Sequence, residues 1–223
     1  DATGRILVPA CHAPLDEATE REAGRTAQIL GPALHEKFPF VPGARPVSDD
    51  PTELVLNRSL RPTLTVTGAD GLPSLAQAGN VLRPATHLKL SFRLPPGVDA
   101  PAAMAAVKQV LEADPPHGAQ VRFEVEQAAD GWRAPTPAPW LAAALSRASH
   151  RHFGRTCAFQ GEGWSIPFMG MLGRAFPQAQ FLITGVLGPG ANAHGPNEFL
   201  HLPYAQKLTA CVAEVVAALP GAD

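Results

Sequence analysis

Apolar and polar positions alternate most cleanly in three short stretches of this 223-residue chain. Residues 63–67 read Thr-Leu-Thr-Val-Thr. Leu88, Leu90, Phe92 and Leu94 alternate with Lys89, Ser91 and Arg93, and Val121, Phe123 and Val125 with Arg122, Glu124 and Glu126. A period of two predicts half-buried strands of an antiparallel sheet. Between the second and third stretches, Pro101 opens a run in which Met104, Val107, Val110 and Leu111 recur at helical spacing. Strand, strand, helix and strand predict an α+β arrangement with helices on one face of the sheet.

Upstream, residues 15–37 follow a charged helical pattern that Gly31-Pro32 interrupts, and Asp50-Pro51 starts a short helix packed through Leu54, Val55 and Leu56. Downstream, the run DGWRAPTPAP over 130–139 predicts a boundary, with one domain over 1–130 and a second over 131–223. The second part predicts helices over 140–153 and 166–176. It also predicts a short strand over 156–159, a buried strand over 180–187, and a final helix opened by Pro203 with Leu208, Cys211, Val212, Val215 and Leu219 on its apolar face. This order suits part of a layered α/β domain, but two strands do not make a covered sheet. The second domain therefore reads as incomplete.

Composition narrows the class. Hydrophobic residues at 45% supply a core, while 20 Gly and 24 Pro imply many turns. A formal net charge of −2 gives no sign of a nucleic-acid or anionic-membrane surface. No apolar run approaches the roughly 20 residues of a transmembrane helix. Cys11, Cys157 and Cys211 form no CxxC pair, which argues against a disulfide framework and for a reducing, cytoplasmic setting.

Two loops carry candidate chemistry. GEGWSIP (161–167) lies between a predicted strand and a predicted helix, where glycines permit close backbone approach and free amides suit an anion. Ser165 is either a helix cap or a contact to a substrate carboxylate; the flanking residues do not form a nucleophile elbow. NAHGPNE (192–198) follows the apolar run at 180–187, and His194 is a candidate ligand for a metal or substrate at a strand end. The remaining histidines have no Cys, Asp or Glu at ligand spacing and read as surface or structural groups.

Taken in order, these loops resemble the C-terminal part of the two-zinc metallopeptidases that include carnosinases, cytosolic nonspecific dipeptidases, succinyl-diaminopimelate desuccinylase and acetylornithine deacetylase. GRILVPA, RPTLTV and NVLRPATHLKLSFRLPPGVD resemble that family's lid, or dimerisation, domain, so the similarity spans nearly the whole chain. The implied fold is a partial lid domain with an antiparallel sheet, lacking its first strand and helix, followed by the C-terminal portion of an α/β catalytic domain. The implied activity is zinc-dependent hydrolysis of peptide or N-acyl amide bonds by a homodimer joined through the lid. By resemblance, His194 is a zinc ligand. Arg93 and Ser165 hold the substrate carboxylate, Glu162 lies near its amino end, and Asn80 reaches the neighbouring subunit's site.

The sequence also departs from the family. Gln160-Gly161 stand where a basic residue is usual, Trp164 replaces a glycine, and Gly190-Ala191-Asn192 replace acidic residues. In the family, the remaining zinc ligands and the catalytic glutamate lie in an N-terminal half. The expectation is a fragment without activity of its own. The alternative is a non-catalytic dimerisation or binding module.

Overall fold

The computed structural model describes residues 1–36, 38, 40–161, 167–188 and 190–220. Contacts divide the chain into two units. The first comprises residues 1–15, 56–132 and 161–167, and the second 16–55, 133–160 and 168–223. Besides the change at 132/133, residues 16–55 join the C-terminal unit, which a linear division at 130 does not describe. Two long-range hydrogen bonds account for their place. Thr26 Oγ1 donates to Phe159 O at 2.7 Å, and Arg133 Nη2 to Thr19 Oγ1 at 2.9 Å.

In the second unit, α1 (Glu17–Leu30) starts where Asp16 accepts from Thr19 N, and ends at Gly31, with φ 53°. A short α2 (Ala33–Glu36) follows, and α3 (Pro51–Ser59) leads from this unit into the first. The first unit is organised by an antiparallel hairpin of β1 (Thr63–Asp70) and β2 (His87–Arg93). Cross-strand partners Leu64–Phe92 and Val66–Leu90 place apolar side chains on one face, whereas Thr63–Arg93 and Thr65–Ser91 place polar ones on the other. Behind β2, α4 (Ala100–Ala113) is capped by Asp99, whose Oδ1 accepts from Ala102 N, and by Asp130, which accepts from Ala100 N. Its Ala103, Met104 and Val107 close a core with Cys11 and Val98, against which Phe92, Leu94 and Phe123 pack.

The mixed helix–sheet class agrees with the sequence reading, and the sheet is smaller than expected. Residues 121–126 form no ladder. Phe123 N instead donates to Glu112 Oε1, and Phe123 O accepts from Lys108 Nζ, so side chains of α4 take the backbone groups a neighbouring strand would need. Residues 156–159 and 180–187 likewise carry no strand assignment, and the latter run is not buried: Ile183 is 59% exposed and Leu187 61%. Apolar composition without a pairing partner does not make a covered strand.

The rest of the second unit is α5 (Pro139–Phe153), α6 (Pro167–Ala175) and α7 (Leu202–Ala217). Gln180 Oε1 accepts from Ala138 N at the start of α5. α5 and α7 pack antiparallel through Leu141, Ala144, Leu145 and Val215, with Cys211 Sγ donating to Ala148 O midway. At the far end the Phe153 and Tyr204 rings lie 5.4 Å apart.

Glu214 fastens α7 to the end of α5, accepting from His152 Nε2 at 2.8 Å and Arg151 Nη1 at 3.0 Å. The hydrogen bond from His152, and secondarily Arg151, holds its carboxyl below the ordinary glutamate range. A carboxyl depressed in the folded state stabilises above its unfolded pKa, and that contribution is lost as pH falls through the folded value. Glu214→Gln is therefore expected to lower Tm near neutral pH, with the difference from wild type shrinking as pH falls below the ordinary glutamate range. A Tm difference unchanged between neutral and acid pH would show that the carboxylate's charge is not involved.

Candidate functional site

In the first unit, the end of α3 and the ends of the hairpin strands enclose a cavity of about 240 Å³, lined by Asn57, Arg58, Ser59, Arg61, Thr63, Arg93 and Leu94. Its position follows from register. Thr63 pairs with Arg93, so the segment leaving α3 enters β1 beside the residue that ends β2. Arg58 and Arg61 are half-buried and Arg93 exposed. Asn57 Oδ1 accepts from Arg61 Nη1 at 2.9 Å, which fixes one guanidinium. Arg58, Arg61 and Arg93 also have further partners. Three guanidiniums line this space among the described residues.

The described end of the GEGWSIP loop packs against Ser59, one of the residues that line this cavity. A Cβ on Gly161 would lie 2.7 Å from Ser59 Cβ, so only glycine fits without a shift. Arg93 lines the cavity, and Gly161 lies next to its Ser59. Glu162 and Ser165 lie outside the described residues.

Asn80 is placed elsewhere. It lies in the exposed 71–86 connection, which joins the strands at the hairpin end opposite Arg93, and β2's seven residues put those two ends roughly 20 Å apart. Val81 N donates to Gly79 O at 2.9 Å, a three-residue turn centred on Asn80. Leu75 and Leu82 in this connection are 97% and 100% exposed.

In the second unit, the NAHGPNE loop leads into α7. Phe199 N donates to Ala191 O at 3.1 Å, closing it, and His201 Nδ1 accepts from Tyr204 N at 3.1 Å to start the helix. Within it Asn192, His194 and Asn197 all have positive φ (55°, 63° and 59°). Asn192 Nδ2 donates to Pro196 O at 2.6 Å, and a Cβ on Gly195 would lie 2.6 Å from that nitrogen. Asn and His are among the non-glycine residues that most often take left-handed backbone, and His117 does so as well, at φ 58°. His194 is exposed.

Among the described residues, no group of three or more His, Cys, Asp or Glu is gathered to hold a metal. Zinc takes at least three protein ligands, so the residues described here do not by themselves fit a zinc pair. The three cysteines are free, and burial pushes each thiol pKa up, so they are protonated and unreactive near neutral pH. No helix among the described residues is long and apolar enough to cross a membrane.

Sequence reading selected Arg93 and passed over Arg58 and Arg61. The available signal was two arginines three apart where a helix runs into the RPTLTV strand. Their convergence with Arg93 depends on a pairing across 30 residues, which local pattern does not reveal.

No protein-family model matches the chain. A cysteinylglycine-S-conjugate dipeptidase of Corynebacterium striatum is 27% identical over 161 residues, covering 68% of this chain and 32% of that protein. Among solved structures, the dipeptidase Dug1p of Saccharomyces cerevisiae superposes with a TM-score of 0.70 at 22% identity, over 99% of this chain and 47% of its own. Human carnosine dipeptidase 1 gives 0.70 at 19% identity, over 98% and 47%. The M20 family metallo-carboxypeptidase Sso-CP2 of Sulfolobus solfataricus gives 0.69 at 17%, over 97% and 48%. The chain has the fold of these peptidases, as its motifs implied, and spans about a third of the curated relative and about half of each structure.

Proposed function

We propose that this chain is the substrate-holding part of a zinc-dependent hydrolase of peptide or N-acyl amide bonds. The observation that carries the reading is the cavity lined by Arg93 and by Ser59, against which the start of the GEGWSIP loop packs, in a chain with the fold of known dipeptidases. An arginine fork matches a carboxylate in two parallel hydrogen bonds, and this is how Arg93 holds the substrate's free carboxylate. Ser165 assists at that carboxylate, and Glu162 faces the amino end. Holding one end of the substrate fixes the scissile bond and lowers the entropic part of the barrier.

His194 supplies one imidazole to the metal site. It is exposed in a loop closed by the bond from Phe199 N to Ala191 O ahead of α7, so its imidazole is accessible to a metal. The other ligands and the general base come from the longer protein, since the described residues gather no ligand set. The protein is cytoplasmic, in keeping with its free thiols, and works as a homodimer joined through the hairpin unit. The turn at Asn80, its exposed apolar neighbours and its distance from Arg93 suit a residue that serves the partner's site.

Metal dependence tests the reading. Dipeptide or N-acyl amino acid turnover by the longer protein should disappear with a chelator and return with zinc. The 223-residue chain should bind zinc more weakly than micromolar in calorimetry. Turnover indifferent to chelation would overturn the assignment, and stoichiometric tight binding by the chain would overturn the partition of ligands.

A further inference from the structure

We infer that the groove between β2 and residues 122–129 is a strand-addition site, filled in the longer protein by one extended segment from outside these 223 residues, with alternate apolar residues facing α4. This rests on the longer protein of the reading above. Among the described residues β2 pairs with β1 alone, so its other edge presents backbone donors and acceptors in a row. That edge is one wall of a groove of about 1220 Å³, with residues 122–129 opposite and Ala100 and Met104 of α4 at its base. The volume exceeds the ~300–1,000 Å³ of pockets that hold a small ligand. β2's seven residues make the edge roughly 23 Å long, which suits a chain segment.

Width and charge select the occupant. Lys89 Nζ on β2 meets Glu126 on the far wall at 2.8 Å. Their stems can bridge two strand spacings, roughly 9.5 Å, which leaves room for one strand between the walls. An intact second copy does not fit, because an edge strand that it brought would carry its own sheet neighbour into the same space. Lys89 with Glu126 and Arg122 with Glu124 satisfy each other, so a seated strand is uncharged where it meets these pairs. Leu88 and Val125, 55% and 45% exposed on the two walls, offer apolar surface above the core of Phe92, Phe123 and Met104. A strand with a period of two covers that surface with one set of side chains and leaves the other set to solvent. Its source is the remainder of the longer protein, since the matched structures are each about twice this chain's length.

Amide hydrogen exchange on the 223-residue chain and on the longer protein reads the slot directly. In the chain, the amides of 87–93 directed away from β1 are expected to exchange freely while the alternate ones are protected. In the longer protein the outward set should slow by at least about tenfold, and dilution should not change this. Leu88→Glu, at an exposed position, should leave exchange in the chain little changed and return the outward amides of the longer protein toward the chain's rates. Val125→Lys, from the opposite wall, makes the same test if that variant folds poorly. Outward amides already protected in the chain, or still free in the longer protein, would overturn the inference. So would protection that appears only as concentration rises, which would assign the slot to a second copy, or only when a dipeptide is added. Protection in a longer protein that hydrolyses no amide would leave the strand site standing and remove the peptidase reading, and hydrolysis without protection would do the converse.

Discussion

Replacing His194 with alanine in the longer protein is expected to lower peptide turnover by more than the roughly 10–100-fold that loss of a mere supporting partner costs at a metal site. The loop invests backbone strain in this residue. A non-glycine left-handed conformation costs about 1–2 kcal/mol, and here the closing bond from Phe199 to Ala191 and the Asn192 side chain over Pro196 maintain three such residues within six positions. Because His194 is exposed, its imidazole makes little contribution to the core, and the variant should melt close to wild type. His194→Asn is the sharper control, since asparagine accepts the left-handed backbone. It should lose turnover as fully as alanine does and need more zinc for whatever activity remains. Unchanged turnover in either variant would remove His194 from the site.

The helices and the hairpin were legible because their signals are local. Asp16 and Asp99 each precede a first turn whose amide they accept from, and residues 63–67 and 88–94 alternate with a period of two. At 121–126 the same alternation predicts a third strand, yet Phe123 is bonded to Glu112 and Lys108 of α4, and Val121 and Val125 stay exposed. Side-chain periodicity says nothing about which groups take the backbone bonds, and without a ladder it does not bury the apolar positions either. The outer edge of β2 faces a groove whose other wall is residues 122–129, so the space a further strand would fill is open beside this segment. The candidate site divides similarly. Arg93 and His194 came from motifs, whereas Arg58 and Arg61 became candidates only through the register that brings Thr63 opposite Arg93.

Leu141→Ala is expected to cost about 2–5 kcal/mol, the range for a buried leucine truncated in a core that relaxes only partly. Leu141 is 2% exposed on α5 and packs with Ala144, Leu145 and Val215 in the seam with α7. A loss of that size lowers Tm by roughly 5–20 °C in a protein of this length. The effect should reach the site, because α7 is the element on which the His194 loop is closed and capped. Leu187→Ala supplies the contrast. At 61% exposure in the chain it should change stability by no more than about 0.5 kcal/mol. In the longer protein, if further strands pair with 180–187 and cover it, the same substitution should approach the cost of Leu141→Ala. A large loss from Leu187→Ala in the 223-residue chain would mean that the run is buried without added strands, and an equally small effect at both lengths would mean that no strand of the longer protein packs there. Denaturant melts of the two variants at the two lengths thus locate, residue by residue, where this chain's core ends.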